Sequence, residues 1–174
     1  MNRDKSLSFW VLPAQLCLVL LLVTACARQI KKTANTSDFC LPDLTGQEVC
    51  LEDYRGKIVL TSFWASWCEP CLSELPQLQD LWTEYKDRGV VLISVNLDTA
   101  DRESEVRQLA RRYRFRFPVL LDQSAEVTNR FHPTLELPLT IVFDRQGRII
   151  ARHQGYKLGD ERKLDRVIVD RLAI

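Results

Sequence analysis

The stretch that most constrains the fold is SFWASWCEPCLSEL, residues 62–75, in which Cys68 and Cys71 are separated by two residues. A mostly apolar run, KIVLTSFWA, leads into it and is typical of a strand buried on both faces of a sheet. From Pro70 onward, leucine and aromatic residues recur every three or four positions, which predicts a helix that ends at Gly89. The two cysteines therefore lie where a buried strand turns into a helix.

Strand and helix patterns alternate along the rest of the chain. Further strands are predicted at 90–98 and 117–122, two more in a hairpin at 139–153, and helices at 101–113, 124–131 and 160–172. Ser124 is the predicted N-cap of its helix. Apolar stretches around Phe39–Leu41 and Val49–Leu51 flank a turn-rich segment and predict an extra N-terminal β-hairpin. This order predicts an α/β sandwich in three layers, with a mixed central sheet flanked by helices.

The N-terminus has the features of a secretory signal. Arg3 and Lys5 precede an apolar run from Phe9 to Val23, which is shorter than the ~20 apolar residues of a membrane span. The run ends in VTAC, which resembles the lipobox of bacterial lipoproteins. That resemblance implies cleavage before Cys26 and a lipid on Cys26. A cleaved signal without lipid and an uncleaved anchor are the alternatives.

We therefore predict a signal peptide at 1–25, a lipidated cysteine with a flexible polar tether at 26–38, and one domain at 39–174. The alternative for the tether is a basic patch, in which Arg28, Lys31 and Lys32 contact anionic headgroups. A chain of this kind is anchored by lipid to the cell membrane on its extracytoplasmic, periplasmic side. Without the signal, 22 basic and 22 acidic residues remain. This balance gives no charge field that would attract nucleic acid.

Cys68 and Cys71 have three possible roles: metal binding, a structural disulfide, or redox exchange. Structural zinc needs four ligands, commonly two CxxC pairs or one CxxC pair with two histidines. The chain has only one CxxC pair, and His132 and His153 lie outside the usual ligand spacing. A disulfide across so short a loop adds little stability. At a helix start, free N–H groups and the helix dipole stabilise a thiolate, the form that attacks disulfides. The pattern favours redox exchange, with Cys68 attacking and Cys71 resolving.

The segment FWASWCEPCLSELPQL resembles the active site of thioredoxin-like thiol–disulfide oxidoreductases, most closely the membrane-tethered ResA/TlpA type. The likeness extends from about Phe39 to the C-terminus. It implies a thioredoxin-like fold and a protein thiol–disulfide oxidoreductase that needs no metal or organic cofactor. Thioredoxins proper carry a buried aspartate on the central strand where Ser62 stands here.

The resemblance also implies roles for residues around the pair. Trp67, Glu69 and Pro70 would form part of the surface that contacts a substrate protein. Glu74 would exchange a proton with Cys71, because a carboxylate in an apolar pocket can have a raised pKa. The alternative is that Glu74 is an ordinary solvated residue of the helix.

A second mark of the family lies in LELPLTIVF. There the resemblance implies a cis peptide bond before Pro138. It would place Leu137 and its backbone beside Cys68, where an extended partner peptide can pair. The alternative is an ordinary trans proline at the start of a strand.

Cys40 and Cys50 lie outside this motif. If the hairpin turns around Thr45, they face each other and can form a structural disulfide, which we favour. Two buried free thiols and a second redox pair are the alternatives.

The resemblance implies a membrane-tethered reductant of protein disulfides, for example of apocytochrome c thiols during cytochrome c maturation. Its partners would be thiol- or disulfide-containing client proteins and a membrane thiol donor. Two other functions remain open: a peroxiredoxin-like thiol peroxidase, and a non-catalytic binding protein or metal chaperone.

Overall fold

The computed structural model describes residues 38–173, so the predicted signal peptide, Cys26 and the tether before Asp38 lie outside the described residues. The strands are β1 (Cys40–Pro42), β2 (Glu48–Cys50), β3 (Ile58–Trp64), β4 (Val90–Asn96), β5 (Val119–Leu121), β6 (Leu139–Phe143) and β7 (Ile149–Gln154). The helices are α1 (Glu69–Tyr85), α2 (Glu103–Arg112), α3 (Glu126–Phe131) and α4 (Glu161–Leu172). Within residues 38–173, no helix has the length and apolar character that crossing a membrane requires.

The central sheet has the strand order β5-β4-β3-β6-β7. Strands β3, β4 and β5 are parallel, whereas β6 and β7 run antiparallel to their neighbours. All seven residues of β3 are buried, as its apolar run predicts. The mixed sheet predicted from the alternating pattern is confirmed.

Two apolar clusters lie on opposite faces of the sheet, because successive side chains of a strand point to opposite sides. Ile58, Leu60 and Trp64 belong to the cluster that packs against α1 and α4. Val59 and Phe63 belong to the cluster that includes the N-terminal hairpin and Phe131 at the end of α3. This arrangement gives the three predicted layers.

The N-terminal hairpin of β1 and β2 forms a separate two-stranded sheet. Cys40 and Cys50 are directly opposite each other in its register and are joined by a disulfide. The backbone of Leu44, in the turn, donates a hydrogen bond to the carbonyl of Val119. The hairpin is thus joined to the edge strand β5 of the central sheet.

Replacing both Cys40 and Cys50 with serine is expected to lower the free energy of unfolding by about 3 kcal/mol, because the disulfide closes a loop of ten residues. Denaturant unfolding of the oxidised proteins measures this loss. Disulfide exchange at Cys68 should be unchanged, since the hairpin disulfide belongs to a separate sheet. An unchanged unfolding free energy would show that the hairpin disulfide has no structural role.

The helix predicted at 124–131 begins later, at Glu126, and the assignment of Ser124 as its N-cap is wrong. The carboxylate of Asp122 accepts hydrogen bonds from the backbone N–H groups of Val127 and Thr128 at 3.3 and 2.7 Å. A side chain at the end of β5 therefore satisfies the free donors of the helix, which a local N-cap pattern does not reveal.

Candidate active site

The Cys68–Cys71 pair lies directly after the central strand. β3 ends at Trp64, and Cys68 is the N-cap residue of α1. The two cysteines form a disulfide, and the backbone N–H of Cys71 donates to Cys68 Sγ at 3.2 Å. Once the bond is reduced, this N–H and the positive end of the helix dipole both stabilise a thiolate on Cys68.

The two sulfur-bearing residues differ in exposure. Cys68 is 5% exposed and Cys71 is fully buried. Pro70 occupies the first turn of α1, where a missing N–H removes no helical hydrogen bond. Because of this difference in exposure, an incoming disulfide can reach the sulfur of Cys68 but not that of Cys71.

The loop between β3 and α1 is held by a buried carboxylate that sequence reasoning missed. Asp98 accepts hydrogen bonds from the backbone N–H and the hydroxyl of Ser66, at 2.7 and 2.9 Å. The side chain of Asn96 donates to the same carboxylate at 2.7 Å. The sequence position of Asp98 is the only feature that indicated this role: Asp98 follows β4 and Cys68 follows β3, and these parallel strands end side by side. These bonds fix the residue next to Trp67, whose side chain is 62% exposed.

Glu74 is buried one turn after Cys71. Its side chain is 1% exposed, so the alternative of a solvated helix residue is wrong. Ser62 Oγ donates to Glu74 Oε2 and Thr140 Oγ1 donates to Glu74 Oε1, each at 3.1 Å. Burial raises the pKa of Glu74 to about 7, although both hydrogen bonds act to lower it.

Thr140 is another site residue that sequence reasoning missed. It lies directly opposite Ser62 in the antiparallel pair of β3 and β6, so both hydroxyls reach the same carboxylate. The sequence feature that could have indicated Thr140 is its position two residues after Pro138, at the start of the strand predicted to lie beside the active site. Ser62, which stands where thioredoxins carry aspartate, thus supports a carboxylate supplied by α1.

The peptide bond between Leu137 and Pro138 is cis, as the family resemblance implies. Leu139 pairs with Phe63 near the end of β3, which brings the proline to the edge of the sheet where Cys68 lies. Within residues 38–173 the backbone of Leu137 makes no hydrogen bond that would compete with an incoming chain. An extended peptide can therefore pair with it.

A groove of about 440 Å³ adjoins the start of α1. It is lined by Glu69, Pro70, Ser73, Tyr156, Lys157 and Leu158. Leu158 is 85% exposed, and the hydroxyl of Tyr156 donates to Glu161 at 3.0 Å. The three residues before α4 that line the groove were absent from the predicted site, because nothing in the local pattern brings them near the cysteines.

Only one group among residues 38–173 has a metal-like arrangement: Cys40, Glu48 and Cys50, with ligand atoms within 4.8 Å of one another. Both sulfurs are joined in the hairpin disulfide and offer no thiolate in this state. The hairpin disulfide joins the two strands of the N-terminal sheet, whereas the Cys68–Cys71 disulfide lies at the start of α1.

Comparison with known proteins agrees with this geometry. The AhpC/TSA family matches residues 33–152, more than half of the chain. The chain is 38% identical to the thiol-disulfide oxidoreductase ResA of Geobacillus kaustophilus over 116 residues, 67% of this chain and 65% of that protein. It is 36% identical to the thioredoxin-like protein YneN of Bacillus subtilis over 139 residues, 78% of this chain and 80% of that protein.

The match spans just under two thirds of the length of two ResA relatives, 66% of the Bacillus thuringiensis protein and 65% of the Geobacillus kaustophilus protein. A solved structure from Chlorobium tepidum, assigned as a thiol:disulfide interchange protein DsbE, superposes with a TM-score of 0.71 at 31% identity. That superposition covers 78% of this chain and 93% of the other. The chain therefore belongs to the AhpC/TSA thioredoxin-like family, and the ResA relatives that it is similar to are named thiol-disulfide oxidoreductases.

Proposed function

We propose that this protein is a membrane-tethered, extracytoplasmic oxidoreductase that reduces disulfides in client proteins. The observation that carries the proposal is the combination of a cysteine pair at a helix start with a protonatable carboxyl group buried one turn behind it. The first cysteine has the environment of a thiolate, and the second has a proton acceptor close by on the same helix.

In the first step, the thiolate of Cys68 attacks one sulfur of the client disulfide. A mixed disulfide forms between Cys68 and the client, and the other client sulfur leaves as a thiolate that takes up a proton. Trp67, Glu69 and Pro70 lie around the attacking sulfur and would contact the client. The free backbone of Leu137 beside Pro138 would pair with the client chain.

In the second step, Cys71 releases the mixed disulfide. Glu74 as a carboxylate takes the proton from the Cys71 thiol, and the resulting thiolate attacks Cys68 Sγ. The bond between Cys68 and the client breaks, the second client sulfur leaves as a thiolate, and the Cys68–Cys71 disulfide forms. Two electrons pass from the cysteine pair to the client disulfide. The two client thiolates take up protons from the solvent, and Glu74 returns the proton of Cys71 to the solvent.

The protein must then be reduced again by an external dithiol. In an extracytoplasmic compartment we infer that a membrane thiol donor supplies these electrons. The N-terminal sequence supports this location: residues 1–25 have the pattern of a signal peptide, and Cys26 that of a lipidated residue. A mass increase on Cys26, measured on the protein isolated from membranes, tests the anchor, and an unmodified Cys26 would remove it.

The similarity to ResA-type oxidoreductases supports a reducing role, and the thiols of apocytochromes c are the client that we propose. The reduction potential of the Cys68–Cys71 pair tests the direction, measured in glutathione or dithiothreitol buffers on a variant with Cys40 and Cys50 replaced by serine. A potential near −270 mV, the thioredoxin end of the range, is expected. A potential near −120 mV would instead make the protein an oxidant.

A further inference from the structure

An arginine-rich surface lies at the end of α2, away from the cysteine pair. The ten residues 107–116 contain five arginines, and no acidic residue lies between Glu105 and Asp122. We call this set the arginine cluster; its members are Arg107, Arg111, Arg112, Arg114 and Arg116. Because the chain without residues 1–25 is neutral overall, the cluster is a local excess of positive charge.

Most of this charge is not neutralised within the protein. Arg107 pairs with Glu103 on the preceding turn of α2. The other four arginines are exposed and form no ion pair with any carboxylate of residues 38–173. Arg111 Nε donates to the carbonyl of Arg107, and the guanidinium of Arg116 donates to Thr83. The remaining N–H groups of these four arginines are available to an external anion.

The cluster borders a recess of about 540 Å³. Three arginines and three apolar residues line it: Arg107, Arg111, Arg114, Leu44, Ala110 and Phe115. Guanidinium groups bind phosphate oxygens in a bidentate manner, and the apolar lining suits the hydrocarbon part of an amphipathic molecule. This combination matches the phosphate headgroup of a lipid better than a free inorganic ion.

Arg114 stands where local structure favours glycine. The N–H of Arg114 donates to the carbonyl of Arg111, and the N–H of Phe115 donates to that of Ala110, which is the hydrogen-bond pattern of a Schellman motif. Arg114 is the left-handed residue of this motif, with φ of 53°. A left-handed backbone conformation costs free energy for any residue with a side chain. Arg114 therefore makes the end of α2 less stable than glycine would at this position.

The arginine cluster is displaced from the cysteine pair along α1. The backbone N–H of Arg116 donates to Gln79 Oε1 at 2.7 Å, and its guanidinium donates to Thr83 Oγ1 at 3.0 Å. Gln79 and Thr83 lie in the second half of α1, about three to four turns after Cys68 at its start. The recess itself lies closer to the end of β3, because the ring of Phe115 packs against Trp64 with centroids 6.0 Å apart. A membrane surface bound to the arginines would therefore contact the protein away from the start of α1.

We propose that the arginine cluster docks the domain on the anionic phospholipid headgroups of the membrane, with the cysteine pair directed toward clients. The inference rests on the membrane tether of the proposed function. A lipid on Cys26 would tether the chain without fixing how the domain lies on the membrane, and a polybasic surface that binds anionic headgroups would fix that orientation. Asp38, where the tether meets the domain, is six residues from Leu44 in the recess, at most about 20 Å of chain.

The test uses the full chain isolated from membranes and reconstituted into vesicles of phosphatidylcholine, with or without phosphatidylglycerol. Energy transfer from the protein's tryptophans to dansyl-labelled headgroups reports the approach of the domain to the surface. Transfer should be higher on the anionic vesicles and should fall to the neutral-vesicle value at high salt.

Charge removal locates the contact. The triple variant Arg111→Gln, Arg112→Gln, Arg114→Gln should lose the extra transfer on anionic vesicles. The matched triple variant Arg162→Gln, Arg166→Gln, Arg171→Gln, with three exposed arginines of α4 replaced, should keep it. Equal transfer by the two triple variants would overturn the proposal.

Arg114→Gly separates docking from folding. It should unfold at an equal or higher temperature, because glycine suits the left-handed position, yet show reduced transfer on anionic vesicles. Wild-type transfer by this variant would count against the proposal.

Reduction of a soluble disulfide substrate such as insulin should be unchanged in all of these variants. If the wild-type protein did not reduce this soluble substrate, that result would contradict the proposed function but would not change the docking result.

Discussion

Replacing Cys68 with serine is expected to lower disulfide-reductase activity by at least about 10³-fold, the scale on which loss of a catalytic nucleophile acts. A serine hydroxyl at this position stays protonated at neutral pH and cannot attack a disulfide. Turnover of insulin disulfides with dithiothreitol as the electron source measures the loss. The double variant Cys40→Ser, Cys50→Ser is the control and should retain the wild-type rate.

The companion variant Cys71→Ser distinguishes the roles of the two cysteines. Its Cys68 can still attack, but the buried partner can no longer release the client, so a mixed disulfide should accumulate. Non-reducing electrophoresis with mass determination of the adduct detects it. If Cys68→Ser gave the stable adduct and Cys71→Ser gave none, the assignment of attacking and resolving residues would be reversed.

Replacing Glu74 with glutamine is expected to slow the release step by about 10²- to 10⁴-fold, the usual contribution of a general base. The pKa of Glu74 is raised to about 7 by burial, so the wild-type release rate should rise as pH passes through this value. The variant should lack that inflection. Stopped-flow measurement of mixed-disulfide decay between pH 5 and 9 records both effects.

Glu69→Gln is the matched control for Glu74→Gln, because it changes an exposed glutamate in the first turn of the same helix. It should keep the inflection near pH 7. A Glu74→Gln profile that still rises through pH 7 would remove Glu74 from the proton-transfer step and assign the titration to another group.

The same carboxyl group should make stability depend on pH. The pKa of Glu74 is about 7 in the folded protein and 4.5 in the reference state, so the folded state holds the proton over this interval. The stabilisation is fully present below pH 4.5 and is lost as pH rises through 7, by about 3 kcal/mol. Unfolding of the oxidised protein at pH 5 and pH 8 should show this loss, and Glu74→Gln should abolish it.

The local elements of this protein follow from neighbouring residues. The apolar run of β3, the helical spacing after Pro70 and the hairpin at 139–153 are each read from side chains a few positions apart, because strand and helix periodicities are local. The position of Cys68 at a helix start follows from the same two patterns. For this reason the fold class and the candidate redox pair were predictable from the chain alone.

The surroundings of the pair depend on contacts between distant parts of the chain. Glu74 and Thr140 are 66 residues apart and meet only because β6 pairs with β3 in one register. Asp98 and Ser66 are 32 residues apart and meet at the end of adjacent strands. Strand register and helix packing are set by the whole apolar core, so the pKa of Glu74 and the anchoring of the active-site loop were decided by the tertiary structure.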